Sequence, residues 1–99
     1  MTPETIATSR TVFGIAPNGR EYNVLFEVEV PTPREKGGWQ ARVHLKNLDS
    51  KVHIIAGMDS WQAMTLAMQF VAARMGHFEE AGWSFYWEEG GDVVTSSQI

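Results

Sequence analysis

Between Glu21 and Lys46 apolar and polar residues alternate with a period of two, the pattern of strands buried on one face. In "EYNVLFEVEV" (21–30), Tyr22, Val24, Phe26, Val28 and Val30 share one side, with Asn23, Glu27 and Glu29 on the other. "WQARVHLK" (39–46) repeats the pattern with Trp39, Ala41, Val43 and Leu45. The Pro- and Gly-rich "PTPREKGG" (31–38) lies between them, so a hairpin is expected. Setting Val30 opposite Trp39 pairs Val28 with Ala41, Phe26 with Val43 and Val24 with Leu45. The same register brings Glu27 beside Arg42 on the outer face, an opposite-charge pair of the stabilising kind.

The turn-like "NLDS" (47–50) leads into a strand over 51–56, where Val52 and Ile54 are expected to continue the buried face. Upstream, "TIATSRTVFG" (5–14) reads as a first strand, closed by "APNGR" (16–20). Its inward face is ambiguous, because Val12 and Phe13 compete for it.

After Gly57 the period changes. Asp59 as N-cap, with Gln62 three residues on, forms a capping-box arrangement. Trp61, Met64, Met68, Val71, Met75 and Phe78 then recur at steps of three and four, which predicts a helix over about 60–81. Gly82 is a natural stop. Gly76, inside the span, costs about 1 kcal/mol against Ala and suggests an irregular last turn. A short strand, "WSFYW" (83–87), follows, with Trp83, Phe85 and Trp87 inward and Ser84 and Tyr86 outward. The tail 92–99, "DVVTSSQI" from Asp92, alternates too weakly to assign and reads as a frayed end. The expectation is a single α+β domain over 1–99. It comprises a four-stranded antiparallel meander (about 5–14, 21–30, 39–46 and 51–56), one long helix packed on one face, and a short C-terminal strand.

The run "GMDSWQAMTLAMQFVAARM" (57–75), placed after a meander and before an aromatic-rich end, resembles a group of small bacterial domains of unknown function. Their helix likewise opens with Gly-x-Asp-Ser-x-Gln-Ala. The resemblance covers about a third of the chain. It implies this fold and a bacterial or phage-related source, and it carries no functional residue across.

The helix is wider in its apolar arc than a single sheet requires. A second group, Leu66, Phe70 and Ala73, flanks the main stripe. Either the terminal segments cover it or it meets another protein, and Leu66 with Phe70 form the candidate self-association face.

Composition narrows the function by exclusion. The 99 residues are 43% hydrophobic and 20% charged, within the globular range, and contain no cysteine. That removes disulfides, thiolate nucleophiles and Cys-ligated metal, and suits a reducing cytoplasm. The N-terminal "MTPETIATSR" lacks leader character, and no stretch approaches membrane-spanning length. All eight Lys and Arg lie at or before Arg74, whereas Glu79, Glu80, Glu88, Glu89 and Asp92 follow it without one base, within a net charge of −4. Nucleic-acid binders concentrate the opposite sign, so no direct nucleic-acid role is expected.

Nucleophile-elbow, phosphate-loop, zincin and dinucleotide signatures are absent, and no cofactor is implied. Under the hairpin register, extended through 47–50, His44 and His53 sit opposite each other on the outer face. That gives the one metal candidate, short of a third ligand. The leading expectation is a non-catalytic protein-binding domain of immunity or inhibitor type. It would present Glu79, Glu80, Tyr86, Glu88 and Glu89 to a basic surface on another protein. The alternatives are a small-molecule or metal-binding outer sheet face, or a purely structural homodimer.

Overall fold

A computed structural model describes residues 5–99. Met1–Glu4, on which the leader-free reading of the N-terminus partly rests, lie outside the described residues. The elements in chain order are β1 (Ile6–Ile15), β2 (Glu21–Glu29), β3 (Thr32–Pro33), β4 (Trp39–Lys46), β5 (Val52–Gly57), α1 (Ser60–Glu80), β6 (Ser84–Tyr86) and β7 (Val93–Val94), closed by a 3-10 turn at Ser96–Gln98. The architecture is α+β, and the expected four-stranded meander is an undercount. Seven strands form one antiparallel sheet in the order β5–β4–β2–β1–β6–β7, with β3 lying along β4 where β2 leaves it. The two strands that pattern reading misses are two residues each, too short to show a period.

The alternating runs put the expected residues on the expected faces, but in a different register. Val28 faces Val43, Phe26 faces Leu45 and Glu27 faces His44. This is two residues from the sequence-based pairing. A shift of two leaves every side chain on its own face, so the core is preserved while the partners change. Glu27 therefore meets Lys46, its Oε1 2.8 Å from the ammonium, and Arg42 reaches Glu29 at 3.7 Å.

At the next turn the error is one residue, and there the faces reverse. Val43 pairs with His53 and Ala41 with Ile55, so His53 and Ile55 face the helix while Val52 and Ile54 are exposed. The cause lies in the turn itself. Asn47 takes a left-handed backbone (φ 72°), and the amides of Leu48 and Asp49 both donate to the Leu45 carbonyl. The strand therefore restarts in the opposite phase. The contest at Val12 and Phe13 also resolves, since both are buried, on opposite faces. Val12 lies under the helix beside Val24, and Phe13 pairs with Tyr86.

The helix begins as its cap dictates. Asp59 Oδ1 accepts the Gln62 amide at 2.7 Å, and Gln62 Oε1 accepts the amide of Met58, one residue earlier than a standard box. It runs through Gly76 without interruption and ends in a Schellman motif. The Trp83 amide donates to the Phe78 carbonyl, Gly82 (φ 107°) donates to Glu79, and the Phe78 and Trp83 rings pack edge to face at 5.7 Å.

The buried line of the helix differs from the expected stripe. Ala63, Ala67, Val71 and Met75 face the sheet, whereas Trp61 and Met68 are exposed. Two alanines at the contact let the helix axis approach β4 and β5 closely, and the larger side chains are turned to the flanks. The core cluster joins these to Val12, Val24, Phe26, Val43, Leu45 and Phe85. The tail is not frayed among the described residues: Val94 is 1% exposed and β7 pairs with β6.

Candidate functional site

Polar side chains gather in two places. At the end of β4 and β5, Asp49 accepts the Lys51 amide at 2.8 Å, meets His53 Nε2 at 2.9 Å and receives Arg74 Nη2 at 3.3 Å. The Lys51 amide, and after it the His53 imidazole, hold the Asp49 carboxyl below its ordinary range. The Phe70 ring lies 4.8 Å from the His53 ring, and the Arg74 guanidinium covers Phe78. This cluster fastens the β4–β5 turn to the helix. Sequence reading missed it because the phase of β5 decides which face His53 takes. The available signal was local, namely Asp49 two residues before Lys51 and four before His53.

The second gathering is the outer face of β2 and β4. His44 Nε2 meets Glu29 Oε2 at 2.5 Å, Arg42 lies against the same carboxylate, and Lys46 covers Glu27. The Lys46 ammonium is close to Glu27 Oε1 but not along a hydrogen-bonding direction, so that oxygen has an ion contact and no directed hydrogen bond. His44 and His53 therefore lie on opposite faces of the sheet, each engaged by its own carboxylate. This corrects the metal candidate: one ion cannot be shared across the sheet. Among the described residues no three His, Cys, Asp or Glu are grouped to hold a metal ion.

The concavities are modest. One of about 580 Å³ runs openly along the polar β4–β5 turn, from His44 to Lys51. An apolar one of about 140 Å³ lies between the first half of β1 and the helix, under Met68 and beside Phe26 and Ile99. β6 pairs with β1 only from Phe13 to Ile15, so the outer edge of β1 before that carries no strand among the described residues. That edge is blunted by Arg10, by polar Thr and Ser side chains and by a register irregularity between Ile6 and Thr8.

The acidic residues do not form one patch. Glu79 accepts the Ser96 amide at 3.2 Å and ties the closing turn to the helix, while Glu80 is exposed at the helix end. Glu88 and Glu89 lie beyond the other end of β6, about 15 Å of extended chain away. Tyr86 is half-buried on the outer sheet face against Phe13, with ring centroids 6.5 Å apart. The structure does bring Glu88, Glu89 and Asp92 into one turn between β6 and β7. There Gly91 donates to the Glu88 carbonyl and Trp87 to that of Asp92. Trp87 and Val93 flank these acids as exposed apolar side chains, and Arg10 stacks over the Trp87 ring at 5.3 Å.

More apolar surface is uncovered elsewhere. Met58 and Trp61, at the corner where β5 enters the helix, are each 82% exposed. Along β5 itself Val52, Ile54 and Ala56 point outward at alternate positions. On the helix flank above β5, Leu66 is 37% exposed, whereas Phe70 is partly buried against His53. No helix among the described residues is long and apolar enough to cross a membrane.

A family model described as a domain of unknown function (DUF6968) matches residues 9–94, and the chain belongs to that family. No curated protein and no solved structure matches it.

Proposed function

We propose that this member of the DUF6968 family is a non-catalytic protein-binding domain whose anchors are Met58 and Trp61. One observation carries the reading: two large apolar side chains, three residues apart at a rigid strand-to-helix corner, stand 82% in solvent. Burying a tryptophan side chain is worth several kcal/mol, and Trp is the residue most enriched among the energetic centres of interfaces. The corner is also well fixed. Gly57 abuts Ala63, Asp59 caps the helix and Gln62 holds the Met58 amide, so both anchors are presented at low ordering cost.

The acidic β6–β7 turn gives the same domain a preference among partners. Glu88, Glu89 and Asp92 would draw a basic protein surface towards it and speed encounter more than they tighten the complex. In that form the domain acts by occlusion, as inhibitors and immunity proteins do.

A photo-crosslinking residue in place of Trp61, expressed in cells that make the protein, is expected to join one discrete partner. The Met58→Ser change should weaken that product. A product no different from the one obtained with the crosslinker at Lys36, in the exposed β3–β4 loop, would refute the reading. With the partner in hand, Glu88→Lys with Glu89→Lys should slow association severalfold at low salt and leave dissociation nearly unchanged.

A further inference from the structure

The two long edges of the sheet differ in kind. β1 is blunted in the ways that keep strand edges from pairing, but β5 is not. From Val52 to Gly57 it holds no Asp, Glu, Lys or Arg, no proline and no register irregularity. Its His53 is turned to the helix side against Asp49, and its outer edge carries no strand among the described residues. Its solvent face is apolar at each alternate position, through Val52, Ile54 (60% exposed) and Ala56. An edge without such guards, with an apolar solvent face, is a template for another strand.

We propose that the occupant is a second copy of this chain, with β5 pairing antiparallel to β5 about a twofold axis. Three considerations support that occupant, and the first separates it from an unrelated extended segment.

The first is the helix. It packs chiefly over β4 and β5, at the margin of the sheet, and the contact between Phe70 and His53 shows which flank overhangs the edge. Strands are spaced about 4.8 Å apart, so a helix centred above the β4–β5 pair lies about 5 Å from a twofold axis at that edge. Two copies then set their helices about 10 Å apart, within the range at which helices pack. Leu66, one turn before Phe70, is left half in water by its own fold, and in the dimer it meets the partner's Leu66. A lone extended segment would cover the strand and leave that leucine exposed.

The second is charge. On the solvent face, an antiparallel register centred on Ile54 or Ile55 sets Val52, Ile54 and Ala56 only against one another or against Met58. Lys51, the nearest charge, then falls beside the far end of the other strand and not beside its own copy.

The third is area. A six-residue edge is about 20 Å long and the helix layer stands about 10 Å above it, which gives a face on the order of 400–600 Å² per copy. Roughly 800 Å² per partner is standard and lattice-type contacts fall below about 400 Å², so the size is that of a small, reversible interface. Met58 follows the strand directly, but Ile54 and Leu66 lie outside the Met58–Trp61 pair, so target binding at the corner is tested independently of them.

Sedimentation equilibrium across micromolar to several-hundred-micromolar concentrations tests the proposal. The wild-type chain should shift reversibly from its 11.1 kDa monomer to twice that mass. Ile54→Lys, at an exposed position that leaves the core intact, should weaken the dimer by at least about tenfold, since each twofold pair gains two lysines. Leu66→Glu should do the same through the helix flank, while Val93→Lys, also exposed but remote, should not. A monomer at every concentration would overturn the proposal. So would a dimer that both Ile54→Lys and Leu66→Glu leave unchanged, because it would use another face.

Discussion

A β-carbon added to Gly57 would sit 2.4 Å from the Ala63 amide nitrogen and 2.8 Å from its Cα, closer than real contacts allow. Gly57, Asp59, Gln62 and Ala63 thereby each have a physical role. Gly57 lets the strand end touch the first helical turn, Asp59 caps, Gln62 secures Met58, and Ala63, wholly buried, keeps the approach close. Gly57→Ala is expected to lower unfolding free energy by about 2–3 kcal/mol, because backbone must move to relieve the overlap. Denaturant titration reads this directly, and a loss within error would show that the corner is loose. Asp59→Ala should cost about 1 kcal/mol by the same measurement.

Asp49 supplies the pH dependence at this scale. Its carboxyl titrates lower in the folded chain than in the unfolded one, so the unfolded state binds the proton more readily. The stabilisation is therefore full above the unfolded value near 3.9 and is lost as pH falls below it, through the folded value. Asp49→Asn should flatten the acid limb of a melting-temperature profile below the unfolded carboxyl value. A profile unchanged by the substitution would remove Asp49 from the account.

Among the elements, the outcome of reading the sequence followed parity. The helix was legible from Asp59 to Gly82, because caps and stops are local chemistry that tertiary packing did not override. β2 and β4 were legible as faces but not as partners, since a two-residue offset is invisible to alternation. β5 was misread because the left-handed Asn47 inserts an odd step that no hydrophobic pattern records, and this one step also produced the false histidine pair. The helix stripe was misplaced onto Trp61 and Met68 because counting large apolar residues overlooks alanine, which is what closest packing selects. The tail was set aside for weak alternation although Val94 reaches the core. Val94→Ala should therefore cost roughly 2 kcal/mol, as removal of buried methyl groups does. A change indistinguishable from a surface substitution would restore the picture of a loose end.

For the candidate sites, the acids were visible in the sequence as a charge imbalance, but their division by β6 was not. The exposure of Met58 and Trp61 was hidden by their own hydrophobicity, because Trp61 at a helical period reads as core.

At the scale of the whole molecule, a single 21-residue helix on a seven-stranded sheet leaves apolar surface at one margin and acid at the other. The strand order sets those margins apart, with four strands between β5 and β7. The β5 edge and the acidic turn therefore lie on opposite margins, with Met58 and Trp61 at the Gly57 end of β5. The sheet edge carries the central claim, because the strand, its ridge and the helix flank must all be covered together.

Amide hydrogen exchange along Val52–Gly57, followed as a function of protein concentration, tests it most directly. Alternate amides of β5 point away from β4, and in an isolated monomer they should exchange quickly. The account predicts that these amides become protected at concentrations where the chain pairs, with no comparable change along the free half of β1. Outward β5 amides that exchange at the same fast rate at every concentration would contradict it.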